Sequence, residues 1–302
     1  MHRCQMLNRR MNGPPRMTER SQRLRRMIGA DDIFVAPGCF DGLSARLIEQ
    51  AGFPVAYASG GAISRGAGMP DLGLLSVTEV TDRMAQICDA VEIPVIADMD
   101  TGYGNALNAR RAIRQFIRAG VAAVHLEDQT FPKKCGHYDD KAIVSTKSFY
   151  QKIRAVRDAA GDEIVLIARS DGLAVEGFEA TIDRCNAYAE AGADVIFFEA
   201  PQTVEQIARI GREIVAPKLI NMFAGGKTPM VPLADLKAWG YRLVIVPSDL
   251  QRAAIGAMQR TLAAIRRDGD SRALSDQMPT FKDREAIIGT EHWNELNEKF
   301  AE

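Results

Sequence analysis

Eight times between Ile33 and Val246, a short run rich in Val, Ile and Ala gives way to a longer segment whose apolar residues recur with helical period. Parallel strands covered by helices on both faces read as continuous apolar runs of this kind, so the alternation predicts repeated strand-helix units. The expected strands are residues 33–36, 55–58, 95–98, 122–126, 164–168, 195–198, 219–221 and 243–246. Helical segments such as 42–51, 77–90, 106–119, 149–159 and 178–191 lie between them, and Gly52, Gly120 and Gly192 stand where a helix C-terminus calls for glycine.

Eight units over roughly 220 residues match a TIM (β/α)8 barrel better than a doubly wound sheet, because no GxGxxG follows the first run and no break in composition divides the chain. The expectation is an α/β fold with one barrel domain over residues 1–302. Residues 1–17 are expected to be flexible ahead of a short helix from about Thr18 that sets Leu24, Met27 and Ile28 on one face. After the last strand, 250–267 reads as a long helix, and 270–302 as a polar helical extension of a kind that often packs on another subunit.

The balance of 38 basic against 39 acidic residues provides no field to draw nucleic acid or an anionic membrane, so a small-molecule partner is expected. Cys4, Cys39, Cys88, Cys135 and Cys185 are odd in number and lack CxxC spacing, which argues against a disulfide framework and a zinc site, and for a reducing, cytoplasmic compartment. No apolar run of about 18 residues could span a bilayer, and no secretory signal opens the chain. Eight arginines from Arg3 to Arg26 against the single acid Glu19 leave a transit peptide to the mitochondrial matrix as the alternative address.

In a barrel of this type the chemistry sits at the C-terminal ends of the strands, and those ends are polar here. The second strand runs into Ser59-Gly60-Gly61, the third into Asp98-Met99-Asp100-Thr101-Gly102, the fourth into Glu127-Asp128-Gln129 and the fifth into Arg169-Ser170-Asp171. The sixth meets Glu199 and the seventh ends in Asn221. Asp98 and Asp100 on one turn, within reach of Glu127, make an all-oxygen cluster suited to Mg2+ or Mn2+; a helix cap is the other reading of such a pair. The loop after the fourth strand, about twenty residues long, can serve as a lid. It carries Cys135 beside Lys133, Lys134 and His137, neighbours that lower a thiol pKa, with Gly136 freeing it to approach a ligand; a general acid or a nucleophile is one reading, and a lone cysteine in a basic loop, commonly incidental, is the other.

At these residues the sequence resembles the isocitrate lyase and phosphoenolpyruvate mutase superfamily, and within it the short lyases of 2-methylisocitrate and 2-alkylmalates. The resemblance runs from about Phe34 to Arg252. It rests on residues 57–61, on Pro70-Asp71-Leu72-Gly73, 98–104, 126–129, 133–137 and 168–171, and on Asn221-Met222 with 225–229. Lys-Lys-Cys-Gly-His over 133–137 is similar to the carbon-carbon lyase branch.

The resemblance implies a retro-aldol (Claisen-type) cleavage of a small dicarboxylate on Mg2+. Asp98 would ligate the metal directly, with Asp100, Glu127 and Asp71 mostly through its waters. Tyr57 would be the base, and Ser59, Gly60 and Gly61 would hold a carboxylate. Arg169 and Asn221 would stabilise the departing enolate, and Cys135 would protonate it, with Lys134 and His137 beside it. Gly136, Glu199, Phe223 and Arg252 would complete the pocket. Apolar Phe223 makes 2,3-dimethylmalate, cleaved to pyruvate and propanoate, the best fit. The alternatives are 2-methylisocitrate, whose third carboxylate Arg252 would meet, and hydrolysis or decarboxylation of oxaloacetate. Outside enzymology stands a barrel that only binds oxo acids. The resemblance also implies a homotetramer that exchanges C-terminal helices.

Overall fold

The structure, a computed structural model, describes residues 18–134, 136 and 140–301; the expectations for residues 1–17, Cys135 and His137 lie outside them. The eight expected runs form a closed barrel in which each strand pairs in parallel with the next and β8 with β1. The strands are β1 Phe34–Cys39, β2 Ala56–Ala58, β3 Val95–Asp98, β4 Ala123–Glu127, β5 Val165–Ser170, β6 Val195–Phe198, β7 Lys218–Asn221 and β8 Tyr241–Val246.

Because side chains alternate across a strand, every second residue faces the barrel axis. Val55, Ile96, Ala123, Val165, Val195, Leu219 and Leu243 belong to one buried cluster with Phe34, Tyr57, Ile167, Phe197 and Ile245. Continuing the same parity up the strands brings Asp98, Glu127, Arg169, Glu199 and Asn221 to the C-terminal mouth. The polar strand ends therefore come together because the core below them is apolar with period two. A second, larger cluster lies between the strands and the helices and contains Met84, Ile113, Phe116, Phe149, Ile153 and Tyr188.

The opposite end of the barrel is closed by the helix Glu19–Gly29, which Thr18 caps by accepting from Ser21 N. Leu24 and Ile28 join the axial cluster and Met27 packs on it, as the sequence predicts. Arg25 fastens this helix to the barrel through Asp194 (2.7 Å) and the Ile164 carbonyl (2.8 Å). The outer helices begin on hydrogen-bonded caps, Asp41 before Gly42–Gln50, Ser76 before Val77–Ala90 and Asn105 before Ala106–Arg118, which satisfy N–H groups that a helix start leaves unpaired.

Two short helices, Gly60–Gly66 after β2 and Leu173–Glu176 after β5, add to the eight strand-helix units. Both are too short for helical period to register. The C-terminal extension is also divided more finely than predicted. The helix Asp249–Asp268 is followed by a 3-10 turn at Arg272–Gln277 and by two helices, Phe281–Ile288 and Thr290–Phe300, parted at Gly289 where φ is +77°. Phe281, Trp293 and Phe300 on these two helices are exposed in the single chain. No helix among the described residues is long and apolar enough to cross a membrane.

Candidate active site

A cavity of about 320 Å3 opens at the C-terminal mouth. Tyr57, Ser59, Gly61, Asp71, Asp98 and Arg169 line it, with Glu199 and Asn221 from the next strands and Gly136, Phe223 and Arg252 from the loops and the helix that follow. Most of the expected site residues, drawn from five strand ends and the loops that follow, thus meet in one place. Asp100 and Glu127 stand behind this surface, both buried or nearly so.

The turn after β3 is held in shape from several sides. Asp98 Oδ1 accepts from Asp100 N (3.0 Å), and Asp100 adopts φ +48°, a left-handed conformation unusual for a residue with a side chain. Glu127 N donates to the Asp100 carbonyl at 2.9 Å, and Lys152 Nζ to the Thr101 carbonyl at 2.7 Å. Ser59 caps the helix Gly60–Gly66 and aims its first N–H groups into the mouth, so that Gly60 N lies 3.3 Å from Asp98 Oδ2. A Cβ on Gly60 would stand 2.6 Å from that oxygen, so the approach requires glycine.

Lys133 Nζ pairs with Asp71 and lies 2.8 Å from Asp100 Oδ1, and its side chain is only 5% exposed. Burial disfavours its charge, but Asp100, Asp98, Glu127 and Asp71 outweigh that and keep the ammonium protonated far beyond the usual lysine range. The carboxylates outnumber the cation. Burial pushes the Asp100 and Glu127 carboxyls upward, and Glu127 Oε1 is buried without a hydrogen-bond partner among the described residues. Asp98 behaves oppositely: although burial opposes its ionisation, the His125 charge and hydrogen bond, with Lys133 and Arg169, hold it well below the carboxylate range.

An all-oxygen set with surplus negative charge and an orphaned carboxylate oxygen fits a hard divalent cation. Among the described residues no three His, Cys, Asp or Glu side chains form a ready-made metal cage.

Across the cavity, Arg169 is held by Asp171 through two hydrogen bonds, Nε to Oδ2 (2.9 Å) and Nη2 to Oδ1 (3.1 Å), and lies 3.4 Å from Glu127 and 3.7 Å from Glu199. Phe197 supports the guanidinium from 5.2 Å. Lys141 reaches the same Asp171 at 2.7 Å and donates to the Gly136 carbonyl, which ties the loop to the arginine. A Cβ on Gly136 would overlap Arg169 Nη2 and lie 2.7 Å from Glu199 Oε1, so the residue next to Cys135 rests directly on the site.

The floor of the cavity holds a pair that sequence reasoning only half found. Tyr57 Oη lies 2.6 Å from His125 Nε2, and that nitrogen is 3.2 Å from Asp98 Oδ1. Burial holds the Tyr57 phenol protonated well above its usual range. His125 has the strand parity of Ala123 and Glu127, the signal that would have placed it on the axis.

Lys134, expected beside the thiol, does not line the cavity; it pairs with Asp140 while its N–H donates to Gln129 Oε1. Arg252 lines the cavity, but its Nη1 donates to the Ala224 carbonyl at 2.6 Å and lies 3.2 Å from Asp249. Lys133, expected beside the thiol, sits instead among the carboxylates, and His125, Asp171, Lys141 and Arg65 are site residues to which sequence reasoning assigned no role.

Residues 24–266 match the family model described as phosphoenolpyruvate phosphomutase. The chain is 38% identical over 281 residues to 2,3-dimethylmalate lyase of Eubacterium barkeri, with 92% of this chain and 97% of that protein covered. It is 38% identical over 288 residues to 2-methylisocitrate lyase of Halalkalibacterium halodurans, with 95% and 96% covered. Among solved structures, a trigonal crystal form of 2,3-dimethylmalate lyase, a PEP mutase/isocitrate lyase superfamily member, is 34% identical with a TM-score of 0.89, covering 95% of this chain and 97% of that one. Phosphonopyruvate hydrolase in complex with oxalate and Mg2+ is 32% identical with a TM-score of 0.86, covering 94% and 100%.

Proposed function

Because the chain belongs to the phosphoenolpyruvate mutase/isocitrate lyase superfamily, we propose that it is a carbon-carbon lyase that cleaves a malate substituted at C2 and C3 into pyruvate and a carboxylic acid. The observation that carries this reading is that one cavity is lined by Asp98 of the carboxylate set and by the Arg169 guanidinium, with Gly136 of the Cys135 loop seated on the latter. Such a site binds a 2-hydroxy acid at one end and stabilises negative charge at the other.

Asp98, with Asp71, Asp100 and Glu127, would hold Mg2+. The bound ion supplies a Lewis acid that lowers the pKa of the substrate's C2 hydroxyl. Ser59 and the N–H groups of Gly60 and Gly61 hold the adjoining carboxylate. The hydroxyl proton passes to Tyr57 Oη, and the phenol's own proton moves to His125 Nε2 2.6 Å away, a relay that uses the neutral imidazole with Nε2 unprotonated. As the C2–C3 bond breaks, its electron pair moves into the carboxyl group at C4 of the departing fragment. Arg169 and Asn221 face that group and stabilise its charge. Cys135 then protonates C3, which completes the carboxylic acid product and leaves pyruvate at the metal end.

The first substrate is 2,3-dimethylmalate, since Phe223, Ile245, Pro247 and Ile255 give the cavity an apolar wall for methyl groups. The second reading is 2-methylisocitrate, favoured by Arg65 and Arg252, which line the same cavity. Purified protein with Mg2+ and a panel of 2,3-dimethylmalate, 2-methylmalate, 2-methylisocitrate and oxaloacetate, read by pyruvate release and by separate oxalate detection, tests the reading. EDTA-sensitive pyruvate formation that Cys135→Ser abolishes is expected. Binding of pyruvate or oxalate without cleavage of any acid in the panel would overturn it and leave a barrel that only binds oxo acids.

A further inference from the structure

Arg65 closes the helix Gly60–Gly66 on the far wall of the cavity. Side chains on a helix lean toward its N-terminus, and residues four apart are neighbours on one face. Its guanidinium accordingly lies back over Gly61: a Cβ on Gly61 would stand 3.3 Å from Arg65 Nη1. The glycine that lets backbone N–H groups approach the metal end also leaves room for the arginine.

Its orientation is set by one anchor. Arg65 Nε donates to Gln251 Oε1 at 2.9 Å, and the Gln251 amide is fixed in turn by donating Nε2 to the Ala62 carbonyl at 2.8 Å. Gln251 is buried, whereas Arg65 is open to the cavity. Among the described residues Arg65 forms no ion pair with an acid. The other cations of the cavity are differently placed: Lys133 is held by Asp71 and Asp100, Arg169 by Asp171, and Arg252 by Ala224 and Asp249. Arg65 therefore presents a guanidinium anchored at Nε by Gln251, with Nη1 over Gly61 and without a paired acid among the described residues, an arrangement that can take an anion from the cavity at little cost in ordering.

We propose that Arg65 is the specificity-determining residue of the site and sorts substrates by the charge of their C3 substituent. Its Nη groups take an additional carboxylate carried on C3, while Arg169 engages the carboxylate that develops charge in the cleavage. The proposal rests on the lyase reading for its geometry and concerns the second acid of that reading, whose carboxymethyl group at C3 is the group Arg65 would bind.

The test compares wild type, Arg65→Met and Arg65→Lys with 2-methylisocitrate and 2,3-dimethylmalate. Arg65→Met is expected to raise KM for the former by about tenfold to a hundredfold, with kcat and the KM for the latter nearly unchanged; Arg65→Lys restores part of the loss. Gln251→Leu, which frees the fork but keeps its charge, should give a smaller rise confined to the same acid. Calorimetric titration with succinate and with propanoate reads the effect without turnover: wild type should prefer succinate, and Arg65→Met should lose that preference. Equal effects on both acids, or none on either, overturn the proposal. If no acid is cleaved the lyase reading fails, and the succinate-propanoate comparison still decides the role of Arg65.

Discussion

Tyr57 Oη and His125 Nε2 lie 2.6 Å apart on the barrel axis, with Asp98 Oδ1 3.2 Å beyond the same imidazole nitrogen, so a phenol, an imidazole and a carboxylate share one buried line. None of the three is adjacent to another in the chain, and each comes from a different strand. Tyr57→Phe keeps the ring and removes only the hydroxyl. We expect kcat to fall by about a hundredfold or more with little change in KM or folding, as for loss of a general base. A variant that turns over at the wild-type rate would remove Tyr57 from the proton path.

Lys133 occupies the charge centre of the carboxylate cluster, and replacing it by methionine strips Asp71 and Asp100 of their buried cation. Breaking one side of a buried ion pair costs about 3 kcal/mol or more, so Lys133→Met in EDTA should unfold at a clearly lower temperature than wild type. Added Mg2+ should recover more of that loss in the variant than it adds to wild type, because a ligand that binds only the folded state stabilises it by mass action. Thermal unfolding as a function of Mg2+ measures this; two proteins equally indifferent to the ion would refute the metal assignment.

The contact between Gly136 and Arg169 leaves no space for a side chain. Gly136→Ala is expected to lose at least about tenfold in kcat/KM, since small displacements of groups that hold the reacting atoms are costly, while its melting temperature stays near wild type. Unchanged kinetics would mean that the loop works from another position.

Three thiols give a dependence on pH. Burial pushes Cys88 up to about 12 and raises Cys39 and Cys185 as well. A thiol whose folded value lies above its unfolded value of about 8.5 adds stability that is complete below that pH and is lost as pH rises toward the folded value. The melting temperature should therefore fall between about pH 8 and pH 10, with a shallower slope in Cys39→Ala/Cys88→Ala. These three residues should also resist alkylation at pH 8 until the protein unfolds, so inactivation by alkylation of the native protein must map elsewhere.

Whatever depends on local periodicity was legible in the chain: the apolar runs with their intervening helices, the closed order of eight strands, and the parity that carries Asp98, Glu127, Arg169, Glu199 and Asn221 to the mouth. Strand alternation is a property of neighbouring residues, so the polar end of each strand could be read without its partners. Tertiary structure decided where the long side chains go. Lys133 turns in among carboxylates while Lys134, one residue on, pairs with Asp140 away from the cavity; Arg252 is tied to the Ala224 carbonyl; and Arg65, invisible as a motif, folds back over Gly61. A lysine or arginine has several rotatable bonds, and its resting place is set by charges and carbonyls that distant segments deliver, which no local pattern in the chain encodes.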